Sequence, residues 1–97
     1  MKYDITFAPE AVDDFKRLTA GDRSTIRGAI EIHLRHEPKK VSKSRTKRLR
    51  GVSHPEYRLR VDEFRVFYDV KETEVEILAI VPKSRASEWL ERYGEKE

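Results

Sequence analysis

Two periods of apolar and polar residues run along this chain, and the switches between them mark out its elements. Tyr3, Ile5 and Phe7 alternate with Asp4 and Thr6, which predicts a half-buried strand over residues 2–8. Pro9 follows where the first turn of a helix tolerates a missing N–H. Ala11, Val12, Phe15 and Leu18 then recur at helical spacing, giving a short amphipathic helix. In the turn Thr19-Ala20-Gly21-Asp22, Gly21 reads as a left-handed C-cap and Asp22 as the N-cap of a second helix. Ile26, Ala29, Ile30 and Leu34 carry that helix to Glu37-Pro38, because a residue before proline avoids helical geometry. Two helices joined by so short a turn form an antiparallel hairpin. With one apolar stripe each, they must lie on a sheet.

The strands of that sheet come later. Tyr57-Arg58-Leu59-Arg60-Val61 alternates apolar and basic, and Phe64-Arg65-Val66-Phe67-Tyr68-Asp69-Val70 follows after only Asp62-Glu63. A tight hairpin puts Val61 opposite Phe64, Leu59 opposite Val66 and Tyr57 opposite Tyr68. On its other face Arg60 stands opposite Arg65, and Arg58 opposite Phe67. Residues 75–81 (Val-Glu-Ile-Leu-Ala-Ile-Val) carry apolar groups on both faces and predict a central strand, which Pro82 stops by withholding a donor. Pairing Val70 with Val75 sets Phe67 opposite Leu78 and Arg65 opposite Ile80. Residues 84–93 form a last short helix with Trp89, Leu90 and Tyr93 on one side, and Gly94 with the charged residues 95–97 ends it. The expectation is an α+β fold, β-α-α-β-β-β-α. A small antiparallel sheet carries the N-terminal helical hairpin, in one domain over residues 1–97.

Composition narrows the class. Of 97 residues, 40% are charged and 37% hydrophobic, which suits a modest core with a wet surface. There is no cysteine, so disulfide and thiol chemistry are excluded. No stretch approaches the roughly 20 apolar residues of a membrane span, and the N-terminus lacks the apolar core of a signal peptide. A soluble cytoplasmic protein without membrane contact is expected.

Charge changes the picture more. Residues 39–50 carry Lys39, Lys40, Lys43, Arg45, Lys47, Arg48 and Arg50 and no acid, while the whole chain is only +3, so the remainder is net acidic. Charge concentrated in this way suits a polyanion such as RNA, bound largely through counterion release; a solvated basic loop is the alternative. Beyond that run, the predicted meander gathers Arg58, Arg60, Arg65, Lys83 and Arg85 at one end of the sheet. Guanidinium forks match phosphate oxygens and can stabilise a pentacovalent phosphorane. Arg60 directly opposite Arg65 is unfavourable unless an anion sits there or Asp62 and Glu63 neutralise it. Arginine is a poor general base, so proton transfer falls to His54, Tyr93, Tyr57 or Lys83, or to the substrate. Trp89 and Tyr93 can stack on bases or simply pack. His33 and His36 have no ligand partners at metal spacing, and no Gly-rich phosphate loop is present, so no metal or cofactor is expected.

The motifs Lys47-Arg48-Leu49-Arg50-Gly51, Tyr57-Arg58-Leu59-Arg60, Phe64-Arg65-Val66-Phe67-Tyr68 and Pro82-Lys83-Ser84-Arg85-Ala86 resemble those of the RelE/ParE superfamily of toxin–antitoxin toxins, over nearly the whole chain. The resemblance implies a sheet of three or four antiparallel strands with a concave basic site. In the RelE branch that site cleaves mRNA in the ribosomal A site, without metal, by attack of a ribose 2′-OH on the adjacent phosphate. It assigns catalytic positions to Arg58, Arg60, Arg65 and Arg85; Lys83 joins them from the charge cluster, and RNA contact is expected of the basic run by its charge and of Trp89 by stacking. It also implies a neutralising cognate antitoxin in a hetero-oligomer. The RelE-type C-terminal Tyr or His is absent at Trp89 and Leu90, which leaves a ParE-like gyrase inhibitor or a non-catalytic RNA-binding module as alternatives.

Overall fold

The computed structural model describes residues 2–97. A five-stranded sheet runs in the order β1 (Asp4–Phe7), β6 (Glu74–Pro82), β5 (Phe64–Lys71), β4 (Tyr57–Val61), β2 (Thr46–Arg48). Helices α1 (Pro9–Lys16) and α2 (Ala20–Leu34) form the expected hairpin, and α3 (Ala86–Tyr93) follows a 3-10 turn at Lys83–Arg85. A second, two-stranded sheet pairs β3 (Val52–His54) with β7 (Glu95–Lys96). Among the described residues no helix is long and apolar enough to cross a membrane.

The α+β arrangement and the hairpin on the sheet are as the pattern predicts; several details differ. β1 pairs with β6 in parallel, so the sheet is mixed, not wholly antiparallel. Part of the basic run is strand β2, zipped to β4 with Lys47 opposite Arg58. Its Lys47 and Arg48 are exposed, a charged edge of the kind that resists further strand pairing. The charged C-terminus pairs with β3 and so becomes β7. The turn between α1 and α2 is capped by Thr19, whose Oγ1 accepts from the Asp22 N–H at 3.1 Å, while Gly21 lies inside the first turn of α2.

The β4–β5 register is the predicted one throughout, with Arg60 opposite Arg65 and Arg58 opposite Phe67. Asp62 takes the positive φ of 50° that the two-residue turn needs, a conformation Asp tolerates better than most residues. Between β5 and β6 the expectation fails halfway. Val70 faces Val75, but the register shifts between Tyr68 and Phe67, so Phe67 faces Ala79 and Arg65 faces Val81. Leu78 is the extra residue of a bulge. Val75 and Ile77 before it, and Ile80 after it, therefore point to the same face.

That face holds the main core, where Ile26, Ile30 and Leu34 of α2 pack on Leu59, Val66, Tyr68 and Ile77. The other face holds a small cluster, Phe67, Ala79 and Val81, covered by Leu49, Ala86, Trp89 and Leu90. The buried Tyr68 hydroxyl donates to the Pro38 carbonyl at 2.6 Å, and burial pushes the phenol pKa well above its ordinary value. This bond pins the start of the basic run. In its middle a turn forms at Ser42, whose Oγ accepts from the N–H groups of Arg45 and Thr46, both at 3.0 Å, and the Arg45 carbonyl accepts from the Arg60 N–H of β4 at 2.7 Å.

Candidate functional site

The strand period sends Arg58 and Arg60 of β4 and Arg65, Phe67 and Asp69 of β5 to the face away from the helical hairpin. Arg60 is exposed and Arg58 half-buried. The Arg58 pKa is lowered by burial first, then by the neighbouring Arg65 and Arg60 guanidiniums. Its Nε is fully buried and has no acceptor. A donor of that kind is costly to leave unpaired, and a half-buried guanidinium crowded by two others gains most from an anion.

Arg65, on the same face as Arg60, is covered where Arg60 is open. It is only 6% exposed, and its Nη1 donates to the Asp62 carbonyl at 3.0 Å and the Phe64 carbonyl at 2.8 Å. It braces the hairpin turn as well as adding charge. Lys83 and Arg85 are exposed in the 3-10 turn, where the Lys83 N–H donates to the Glu63 carbonyl at 2.7 Å. Arg85 lines a groove of about 430 Å³ with Arg17, Phe64, Glu88 and Arg92, at the end of β6. Lys39, Lys40 and Lys43 are exposed in the loop before β2, Arg45 is half-buried, and Lys47, Arg48 and Arg50 are exposed along the β2 edge and just beyond. The Arg45 Nε is also buried without an acceptor, and the Arg48 guanidinium lies over the Tyr57 ring at 5.4 Å.

Trp89 is stacked on Phe67, with ring centroids 4.8 Å apart and planes 7° from parallel. Its partner on the helix, Tyr93, tilts against it at 5.6 Å. Trp89 and Tyr93 also wall a cleft of about 670 Å³ that contains His54, Asp69, Lys71 and Leu78. There His54 Nδ1 lies 2.9 Å from Asp69 Oδ2, and Asp69 Oδ1 accepts from the Glu56 N–H at 2.8 Å. Two of the candidate proton-transfer residues, His54 and Tyr93, thus share one cleft. Asp69, only 4% exposed, orients the imidazole. Sequence reading overlooked Asp69, although a lone carboxylate inside the apolar run 64–70 was a signal, because a buried charge needs a partner.

Along β5, Arg65 and Asp69 are four residues apart, about 13 Å at the rise of a strand, with Phe67 and its Trp89 cover between them. The arginines and His54 therefore lie on opposite sides of α3. Among the described residues no group of three or more His, Cys, Asp or Glu is placed to hold a metal ion.

Solved structures that share this architecture include toxin–antitoxin complexes. The archaeal RelE–RelB complex from Pyrococcus horikoshii OT3 matches with a TM-score of 0.71 and 25% identity, covering 88% of this chain and 99% of that one. The RelBE2 complex from Mycobacterium tuberculosis matches at 0.66 with 22% identity over 84% and 99% of the two chains. The RelB–RelE complex from Methanococcus jannaschii matches at 0.65 with 20% identity over 87% and 96%. The last two show the shared fold alone. No curated protein sequence matches the chain. Residues 5–87 match the family model of the ParE toxin of the type II toxin–antitoxin system parDE. The chain therefore belongs to the ParE toxin family, and it is a type II toxin of the RelE/ParE superfamily.

Proposed function

We propose that this toxin is a ribosome-dependent mRNA endonuclease that acts in the cytoplasm, cleaving mRNA in the A site by 2′-OH attack on the adjacent phosphate. The observation that carries the reading is the arginine trio. Arg58 is held half-buried beside the opposed pair Arg60 and Arg65, with an Nε that lacks an acceptor, a preorganised place for a phosphate whose charge grows in the transition state. The exposed cations of residues 39–50 supply the RNA track, Lys83 and Arg85 add charge from the end of β6, and His54, oriented by Asp69, and Tyr93 are the proton-transfer candidates.

Purified toxin added to programmed ribosomes should cut the A-site codon, with or without a chelator. Arg60→Ala and Arg85→Ala should each slow cleavage by about two to three orders of magnitude, the usual loss of one oxyanion-type donor. Intact mRNA and unimpaired elongation would sink the reading. A second reading, gyrase inhibition, is favoured by the family model itself, which describes a ParE toxin. It predicts blocked supercoiling and double-strand DNA breaks with translation untouched. RNA binding without growth arrest would leave a non-catalytic module.

The partner in either reading is a cognate antitoxin, as in the RelE–RelB complexes that share the fold. An acidic, extended and partly helical segment suits the basic run and the face of Arg58 and Arg60, and it can reach that face by displacing α3. Its affinity should weaken steeply with salt. A tight complex indifferent both to salt and to alanine at these cations would place neutralisation elsewhere.

A further inference from the structure

Helix α3 covers the sheet without being built into it. None of its residues is buried; it docks through the half-buried Ala86, Trp89 and Leu90. Beyond Gly94 it is held by a strap in which two exposed β7 residues pair with β3. Ser53 Oγ donates to the Glu95 carbonyl at 3.1 Å, and the Glu97 N–H reaches the Gly51 carbonyl at 3.4 Å. β3 is pinned in turn by His54 on Asp69. An element held by so few contacts belongs to the part of a protein that opens locally at low free-energy cost.

What lies beneath α3 is an aromatic ring set among guanidiniums. Phe67 faces Arg58 across the ladder, where directly opposed side chains are about 5 Å apart at Cβ, and it follows Arg65 by two residues on the same face. The near-parallel Trp89 indole is a planar bicyclic ring of roughly purine size. We propose that Phe67 is a stacking platform for one unpaired base of single-stranded RNA, and that Trp89 occupies the base's place until α3 lifts. The proposal rests on the RNA-substrate reading and adds to it the site of one base. The exchange trades one ring–ring contact for another, and it brings the nucleotide's phosphate to the unpaired Arg58 Nε. It also removes the wall between the arginines and the cleft of His54.

The chain contains a single tryptophan, so its fluorescence reports α3 directly. A short single-stranded oligoadenylate should shift Trp89 emission to the red and open it to acrylamide quenching, with the same midpoint as binding measured by anisotropy of the labelled RNA. An abasic strand of equal length should bind through its phosphates and leave the emission unmoved. Phe67→Leu keeps an apolar filler but removes the ring, and should weaken oligoadenylate binding about tenfold or more. Gly94→Ala tests the strap without touching the platform. A Cβ there would stand 2.5 Å from the Leu90 carbonyl oxygen and 3.3 Å from Val52, so the strap must loosen. Trp89 should then be quenchable before RNA is added, and oligoadenylate should bind more tightly.

Oligoadenylate that binds while Trp89 stays shielded would overturn the exchange and leave the RNA reading standing. So would the same emission change with the abasic strand. Absence of any RNA binding would overturn both. If Phe67→Leu fails to fold, the abasic strand and Gly94→Ala still decide.

Discussion

The two faces of the central sheet are made from the same strands but held in opposite ways. Under the helical hairpin, branched and aromatic side chains from β4, β5 and β6 meet Ile26, Ile30 and Leu34 in a continuous core. The α3 face has three buried apolar residues, a half-buried cover and a row of charged groups. Burial of apolar area fixes the first face. The second is fixed by a few specific contacts: a ring on a ring, guanidinium N–H groups on carbonyls, an imidazole on a carboxylate. Stability and chemistry are thus divided across one sheet about 10 Å thick with its packing layer, and the chemical face can change shape without melting the other.

The largest expected effect tests that division. Leu59→Ala removes a fully buried side chain from the hairpin face and should cost about 2–5 kcal/mol in urea unfolding. Trp89→Ala on the other face should cost on the order of 1–2 kcal/mol, since only part of the ring leaves water. Equal losses would erase the distinction. Next come the two opposed arginines. Arg65→Ala strips the donors from the Asp62 and Phe64 carbonyls and should destabilise by about 1–3 kcal/mol, offset slightly by relief of its repulsion with Arg60. Arg60→Ala, at an exposed position, should stay within about 0.5 kcal/mol of the parent. Arg65 thereby combines a structural with a charge role, and only Arg60 reads the charge alone.

Tyr68→Phe should cost about 1 kcal/mol by leaving the Pro38 carbonyl without its donor, and amide exchange should quicken in the loop that follows. The smallest effect is a pH dependence on the hairpin side. Burial, and then the nearby Arg45, hold the His33 pKa below its ordinary 6.5. On acidification the unfolded chain takes up the proton first, so stability should fall as pH drops from 6.5 through the lowered value. His33→Gln should remove that dip from a series of thermal melts.

The legible parts of this molecule were those where period and turn length leave one solution. The two-residue turn at Asp62-Glu63 fixes the β4–β5 register, so the opposition of Arg60 and Arg65 could be read directly. The bulge could not. Residues 77–81 are apolar without a break, and either register buries apolar groups on both faces. β2 was hidden because its lysine and arginine suit a loop as well as an edge strand. β3 and β7 are too short for any period to show. The meeting of His54 and Asp69, fifteen residues apart, depends on where the chain crosses β5 after Arg50. The burial of Arg65 was missed because alternation assigns a face, and a face does not say what will cover it.

The two anchors around the basic loop have a thermodynamic consequence. With Pro38 fixed by Tyr68 and the Arg45 carbonyl fixed by the Arg60 N–H of β4 at 2.7 Å, the exposed cations between them hang on a short closed segment, not a free tail. Its entropy of loop closure was surrendered when the chain folded, so a polyanion that settles on Lys39, Lys40 and Lys43 has little backbone left to order. Binding there should be fast and weakly selective, with a favourable entropy that comes from released counterions. Cutting the Tyr68 anchor would turn the same charges into a floating arm, unchanged in number and poorer in grip.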